Sequence, residues 1–223
     1  KTKVLITKYH ELTQSLFLDM FGDIRINENN YIEETLLNAC DYITDGAHLT
    51  PKLLDEGYPF MTVANLMEYG YKYDGCKRIS EVDYLYLVRN NCQPKVGDIL
   101  FSKDGTVGKV LRIREHEDIV LLSSIAILRF NKKYNPVYVE YYLKSDFFLF
   151  QATSRKSGSA IRRIVLKDIK KTKVALPSIE LQNQFAERVQ TIETQKTQVQ
   201  ASLIKAEDLF NSLLQKAFKG ELV

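Results

Sequence analysis

The chain has 223 residues, 45% of them hydrophobic and 26% charged, which is typical of a soluble globular protein with one main domain and extensions. No apolar run approaches the ~18 to 20 residues of a membrane span. Three widely spaced cysteines argue against a disulfide framework or a zinc site, and they favour reduced thiols in a cytoplasmic protein. The net charge of +3 excludes a uniformly basic surface.

The chain opens with a predicted helix over residues 4–21. Gly22 follows it, in the position where a left-handed residue closes the last helical turn. The apolar face of this helix consists of residues at helical spacing, namely Leu5, Tyr9, Leu12, Leu16 and Met20. Turn-forming asparagines at residues 27–30 separate the helix from the body, so we place the first boundary after residue 22.

The body, residues 23–177, is predicted to be rich in strands. β-Branched or apolar runs bounded by Gly, Asp or Asn predict strands at residues 59–63, 98–102, 107–113 and 119–130. Asn135 and Pro136 begin a predicted helix that runs through Leu143 and on toward residue 150. Residues 171–176 predict a last strand. Strands with helices at the ends indicate an α+β fold.

Residues 178–223 are predicted to form one long helix, with Ser178 as its N-cap and Gly220 after its last turn. Its apolar residues repeat at steps of four and three without a slip, which is typical of a coiled-coil seam. The seam consists of Phe185, Val189, Ile192, Lys196, Val199, Leu203, Ala206, Phe210, Leu213 and Ala217. A helix of this length spans roughly 60 Å. The first helix covers less than half of that, so pairing with another chain is expected for the rest.

The positive charge is concentrated in one stretch. Residues 152–173 carry a net charge of +7, which leaves −4 for the rest of the chain. This pattern indicates a local contact with a polyanion, and a solvated basic loop is the ordinary alternative. A Gly-Ser loop within the stretch has basic residues on both sides and can lie close to a phosphate backbone. The candidate phosphate contacts are Arg155, Lys156, Arg162 and Arg163.

Other polar residues are weaker candidates for contacts in a DNA groove. They lie in the same Gly-Ser loop, in the polar turn at residues 45–52 and after the second predicted strand. These candidates are Ser157, Ser159, His48, Thr50 and Lys103.

Motifs for catalysis are incomplete in this sequence. Residues 135–138 are one letter from the Asn-Pro-Pro-Tyr of amino-methyltransferases, but no glycine-rich loop follows an early strand to hold a methyl donor. Residues 105–109 lack the spacing of a phosphate loop, and Asp168 has no evident second acid. We therefore predict no catalytic residue, no metal site and no cofactor.

The order of the segments resembles the DNA-specificity subunits of type I restriction–modification enzymes. The similar parts are the end of their central conserved helix, a strand pair and a Gly-Ser loop of their target recognition domain, and both ends of their distal conserved helix. The motifs that carry the resemblance are LFLDMFGD at 16–23, VGDILFS at 96–102, GTVGK at 105–109, SGSA at 157–160, ALPSIELQ at 175–182 and LLQKAFKGEL at 213–222.

The resemblance implies three parts: an N-terminal conserved helix (1–22), a β-rich target recognition domain (23–177) and a distal coiled-coil helix (178–223). Subunits of this family usually carry two recognition domains, so the chain is expected to be the C-terminal half of one or a half-subunit that pairs with itself through the helices. The resemblance also implies a non-catalytic chain that reads one half of a bipartite site in double-stranded DNA. It would dock methyltransferase subunits and, through them, the restriction subunit.

Two alternatives stay open from the residues alone. The chain could be a coiled-coil scaffold whose β-rich head binds protein, with the basic stretch merely solvated. It could also be an isolated methyltransferase built on residues 135–138.

Overall fold

A computed structural model describes residues 2–67, 70–153 and 163–219, without the side chains of residues 2–7 and 10. The helices in these ranges are α1 (Thr2–Phe21), α2 (Leu36–Ala39), α3 (Glu81–Arg89), α4 (Pro136–Leu143), α5 (Asp146–Thr153), α6 (Leu166–Lys171) and α7 (Ile179–Phe218). The strands are β1 (Ile32–Thr35), β2 (Cys40–Asp45), β3 (Tyr58–Met61), β4 (Lys77–Ile79), β5 (Ile99–Ser102), β6 (Val110–Arg112), β7 (Val120–Leu121), β8 (Ile125–Phe130) and β9 (Lys173–Leu176). The mixture confirms the predicted α+β class. None of the helices in these ranges combines the length and apolar character needed to cross a bilayer.

A four-stranded antiparallel sheet in the order β2-β8-β5-β6 forms the middle layer of the body. Because side chains alternate between the faces of a strand, Ile99 and Phe101 of β5 point into one apolar core and Leu100 into another. The first core lies under the helices. The second lies against a three-stranded sheet, β4-β3-β7, in which β3 and β7 are parallel. A two-stranded sheet of β1 and β9 completes the body.

The long C-terminal helix is continuous, as predicted. α7 has 40 residues, and its N-cap Ser178 accepts a hydrogen bond from the Leu181 amide at 3.3 Å. α1 packs along its first half, where Val189 is buried and Ile192, Val199 and Leu203 are half-buried. Farther along the predicted seam Phe210 is 61% exposed and Leu213 is 43% exposed. The predicted stop at Gly220 lies outside the described residues.

Aromatic rings join the two long helices to the body. Phe17 and Phe21 at the end of α1 meet Phe185 of α7 and Tyr138 of α4, with ring centroids 4.7 to 5.8 Å apart. The Tyr138 hydroxyl donates to the Ala175 carbonyl oxygen in β9 at 3.0 Å. All four rings are buried, so burial of apolar surface fixes where α1 ends and where α7 begins.

A buried amide secures the same junction. Gln182 of α7 is fully buried, and its Nε2 donates to the carbonyl oxygens of Pro177 at 2.9 Å and Lys133 at 3.1 Å. Its Oε1 accepts from the Asn135 amide at 2.7 Å. One side chain thus serves three backbone groups of two loops that would otherwise be buried without partners.

A buried carboxylate forms a third link. Glu140 of α4 accepts from Arg112 Nε at 2.7 Å and from Lys144 Nζ at 2.8 Å. Arg114 lies 3.5 Å from the same carboxylate and 3.0 Å from Glu193 of α7. Burial alone would raise the pKa of Glu140, but Lys144, Arg114 and Arg112 outweigh it and the pKa is lowered.

Several predicted elements have different bounds in the structure. The strand expected at 107–113 is only β6, because Gly105 and Gly108, both with positive φ, form the turn before it. The strand expected at 119–130 is β7 and β8, because the chain crosses between two sheets. The helix expected from Asn135 toward residue 150 is α4 and α5, because Ser145 Oγ accepts from the Phe148 amide at 3.1 Å and starts a new helix.

Removing the buried amide should destabilise the junction. Gln182→Ala leaves three backbone groups unpaired, so we expect a loss of about 2 to 4 kcal/mol in the free energy of unfolding, measured by urea denaturation. Gln184→Ala, at an exposed position two residues on, is the control and should change it by less than about 0.5 kcal/mol. Equal effects of the two substitutions would contradict this role for Gln182.

The Glu140 cluster predicts a pH dependence of stability. Because the folded-state pKa lies below the ordinary value of 4.5, the ionised carboxylate stabilises the fold above that pH, and this contribution is lost as the pH falls through the folded-state value. Glu140→Gln should cost about 3 kcal/mol at pH 7 and flatten the acid limb of the curve. Urea unfolding between pH 7 and pH 3 measures both effects, and an unchanged acid limb would disprove the assignment.

Candidate nucleic-acid interface

Several connections of the body meet at one end of the four-stranded sheet. β2 ends at Asp45, opposite Ala126, and β5 ends at Ser102, opposite Ile125 at the start of β8. The loops that leave these strands therefore emerge together. We call this region the distal end and define it as residues 45–50, 103–108, 123–124 and Arg163.

Backbone hydrogen bonds hold the first of these loops in place. The Ala47 amide donates to the Leu121 carbonyl oxygen at 2.7 Å, and the Ser123 amide donates to the Ala47 carbonyl oxygen at 2.9 Å. The Gly46 amide donates to the Ile125 carbonyl oxygen at 3.1 Å. A Cβ atom at Gly46 would lie 2.2 Å from the Leu121 carbonyl oxygen, so only glycine fits this approach of two backbones.

A buried ion pair lies beneath the loop. Lys103 Nζ is 3.2 Å from Asp45 Oδ2, and its side chain is only 4% exposed. His48 Nε2 is 3.7 Å from the same Asp45 oxygen, but the His48 side chain is 75% exposed. The structure thus places His48 on the surface of the distal end and Lys103 in the support of the loop, which differs from the expectation that Lys103 offers its ammonium to a groove.

Arg163 joins the basic stretch to the distal end. It forms a backbone bridge with Asp104, its side chain is exposed, and its Nε is 3.8 Å from Asp104 Oδ2. The next amide, that of Ile164, donates to the Lys103 carbonyl oxygen at 2.7 Å. The chain therefore returns to the distal end at Arg163. The other candidates in this stretch, Arg155, Lys156, Ser157, Ser159 and Arg162, lie outside the described residues.

The C-terminal part of the basic stretch lies elsewhere. Lys167, Lys171 and Lys173 are exposed, but Lys173 is paired with Thr35 in the β1–β9 sheet, and its Nζ is 3.2 Å from Glu33 Oε2. This sheet is next to the start of β2, which is the opposite end of the four-stranded sheet. The described part of the basic stretch is therefore divided between two ends of the body.

A cleft beside the loop contains residues that the sequence did not point to. His48 and Thr50, both exposed, line a cavity of about 390 Å³ together with Tyr86 of α3 and Asn90, the residue that follows α3. Tyr86 is 64% exposed, and aromatic and amide side chains of this kind can contact bases. Ser80 is the N-cap of the helix at residues 81–89, and Glu81 and Asp83 lie in its first turn. This helix signal in the sequence could have pointed to Tyr86 and Asn90.

The residues considered for catalysis have structural roles. Asn135 caps α4, since its Oδ1 accepts from the Val137 amide at 2.9 Å, and its Nδ2 donates to Asn183 Oδ1 of α7 at 2.8 Å. Tyr138 lies in the core. Residues 105–108 form the turn between β5 and β6. Within the described ranges, no group of three or more His, Cys, Asp or Glu side chains is arranged to hold a metal ion.

Comparison with known sequences gives consistent relatives. The family described as "Type I restriction modification DNA specificity domain" matches residues 49–207. The chain is 27% identical over 177 residues to the type I restriction enzyme EcoBI specificity subunit of Escherichia coli, and 26% identical over 191 residues to the EcoKI specificity subunit of strain K12. These alignments cover 76% and 81% of this chain but only 36% and 40% of the relatives, so the chain spans about two fifths of their length.

Comparison with solved structures shows the same fold. The HsdS subunit from Thermoanaerobacter tengcongensis aligns with 99% of this chain and 53% of its own, with a TM-score of 0.57 and 19% identity. The S subunit of a type I restriction-modification system from M. genitalium aligns with 96% of this chain and 55% of its own, with a TM-score of 0.58 and 16% identity.

The close approach at Gly46 can be tested directly. Gly46→Ala places a methyl group against the Leu121 carbonyl, so we expect a loss of roughly 2 kcal/mol or more in the free energy of unfolding. Gly105→Ala is the control, because its Cβ would enter open space and only its positive φ of 69° is strained, at about 1 kcal/mol. Thermal or urea unfolding measures both, and a smaller loss at Gly46 than at Gly105 would argue against the packed loop.

Proposed function

The chain belongs to the type I restriction modification DNA specificity domain family, and from this premise we propose that it is a DNA-reading half of a specificity subunit. In this proposal the distal end contacts one half of a bipartite site in double-stranded DNA. The paired helices α1 and α7 set the distance to a second reader and dock the methyltransferase subunits. Methyl transfer and cleavage belong to those partners and to the restriction subunit that they bring.

The observation that carries the proposal is the arrangement of the four-stranded sheet. β8 starts among the loops of the distal end and finishes beside Asn131 and Lys133, at the base of α7. Its six residues span about 20 Å. The distal end and the base of the helical arm are therefore at opposite ends of one sheet, so a contact with DNA at one end leaves the arm free for other chains.

The charges at the distal end suit a duplex. Arg163 is exposed, and the only described acid it approaches is Asp104, at 3.8 Å in a pair that is itself solvent-exposed and weak. Phosphates can therefore replace Asp104 as its partner. His48, Thr50 and the cleft beside them supply polar groups next to this anchor, which is where direct reading of base edges would take place.

The arm supports the proposed assembly. Beyond the part covered by α1, α7 exposes the large apolar seam residues Phe210 and Leu213, and Leu209 and Phe218 beside the seam are exposed as well. A coiled-coil seam is stable only when a second helix covers it. In this proposal the cover is the matching helix of the second half, from the same subunit or from a second copy of this chain.

The test is the salt dependence of DNA binding. Arg163→Ala, alone and combined with Arg162→Ala, should weaken binding to specific and random duplexes alike, because phosphate contacts carry no sequence information. Each lost contact should reduce the slope of log K against log[salt] by about 0.9. Fluorescence anisotropy of a labelled duplex from low to high salt measures the slope for the chain with its methyltransferase subunit.

The matched control is Arg188→Ala, which removes an exposed arginine from α7 instead of from the distal end. It should leave the salt slope unchanged. A slope that responds to Arg188 and not to Arg162 or Arg163 would refute the distal end as the DNA contact. If the distal end is not the DNA contact, selection from a randomised duplex will give the same preferred sequence, or none, when His48 or Thr50 is replaced.

A further inference from the structure

A cavity of about 410 Å³ opens beside the three-stranded sheet. It is lined by Gly57, Tyr58, Pro59, Tyr73, Glu117, Asp118 and Ile119. The cavity lies at the start of the parallel pair β3 and β7, where Phe60 is opposite Val120. At the other end of β7, Leu122 forms a bridge with Ala47 of the distal end. The cavity and the distal end therefore lie at opposite ends of β7.

One of the lining residues carries an uncompensated carboxylate. Glu117 is half-buried and forms no ion pair among the described residues. Burial raises the pKa of Glu117, in agreement with a charge that lacks a partner. Asp118 beside it accepts from the Tyr84 hydroxyl at 3.0 Å, and His116 Nε2 is 3.3 Å from the same oxygen. No basic side chain is among the residues that line the cavity.

Two tyrosine rings form the walls. The Tyr58 ring is stacked on the Tyr84 ring at 4.1 Å with an interplanar angle of 8°, so the body holds it in one orientation. Tyr73 is 42% exposed on the outer side. Gln93 Nε2 donates to the Tyr84 hydroxyl at 2.8 Å and to the Glu117 carbonyl oxygen at 3.3 Å, which ties the acidic loop to the same rings. The Tyr58 wall is therefore preformed.

We propose that this cavity binds an arginine side chain of a protein partner. A guanidinium is planar, stacks on a tyrosine ring and donates two hydrogen bonds to a carboxylate, so it matches both features of the cavity at once. A nucleic-acid phosphate does not match, because two carboxylates would repel it. Arg78 of this chain is already engaged outside the lining, since it donates to the Gly57 carbonyl oxygen at 2.8 Å.

The partner follows from the proposed function, on which this step rests. A protein that binds the chain while DNA occupies the distal end has to approach another part of the surface, and none of the residues that line the cavity belongs to the distal end. We therefore assign the arginine to the methyltransferase subunit.

The cavity itself can be tested without any partner protein. N-acetyl-arginine methylamide, titrated into the ¹⁵N-labelled chain, should shift the amide resonances of Gly57 and Ile119, while the norleucine analogue, which has no guanidinium, should not. Glu117→Gln should weaken this binding about tenfold, and Tyr73→Ala by a similar factor. Glu115→Gln, an exposed acid of the same loop outside the lining, is the control and should leave binding as it is. Equal binding by Glu117→Gln and the unchanged chain would overturn the cavity as an arginine site.

The partner assignment has its own measurement. Calorimetry with the methyltransferase subunit should give an affinity at least about fivefold weaker for Glu117→Gln than for Glu115→Gln, with DNA binding by the two variants equal. Loss of arginine binding without any loss of this affinity would keep the cavity and overturn the partner. If the unchanged chain does not bind the methyltransferase subunit at all, the proposed function fails, and the titration with the arginine analogue still decides the cavity.

Discussion

The geometry of this molecule depends on the packing of four aromatic rings where the two long helices meet the body. Phe17 and Phe21 of α1 pack against Phe185 of α7 and against Tyr138 of α4. Gln182 satisfies the backbone groups that this packing would otherwise bury unpaired. An arm of about 60 Å amplifies any change of angle at its base, so the proposed function, in which the arm sets a distance, requires a densely packed junction.

The two ends of the body differ in how much of their charge is buried and paired. Near the arm, Glu140 is fully buried and lies close to three cations, so its charge is compensated. At the distal end the buried pair of Asp45 and Lys103 lies under a surface that presents His48 and Arg163 to solvent. The first arrangement stabilises a structure, and the second leaves charge available for a ligand. The same sheet separates them.

The elements that could be predicted are those whose signals are local. α1 and α7 have long apolar repeats and clear caps, and the β5–β6 turn is marked by its glycines. β1, β2 and α6 were missed because they are short and half polar, and only their partners across the sheet or the core stabilise them. In the candidate site, His48 and Thr50 were recognisable as a polar turn. The burial of Lys103 was not, because Asp45, which neutralises it, is far away in the chain.

The loop at Gly46 and Ala47 is held to its neighbours through main-chain atoms, and His48, Leu49 and Thr50 at its tip are exposed. Residues at its tip can therefore be exchanged without disturbing the scaffold below, provided the glycine is kept. In such an arrangement the binding preference of the loop can evolve while the fold stays the same. Variants with a new preference can arise by substitution of a few exposed residues, with the backbone that holds the loop unchanged.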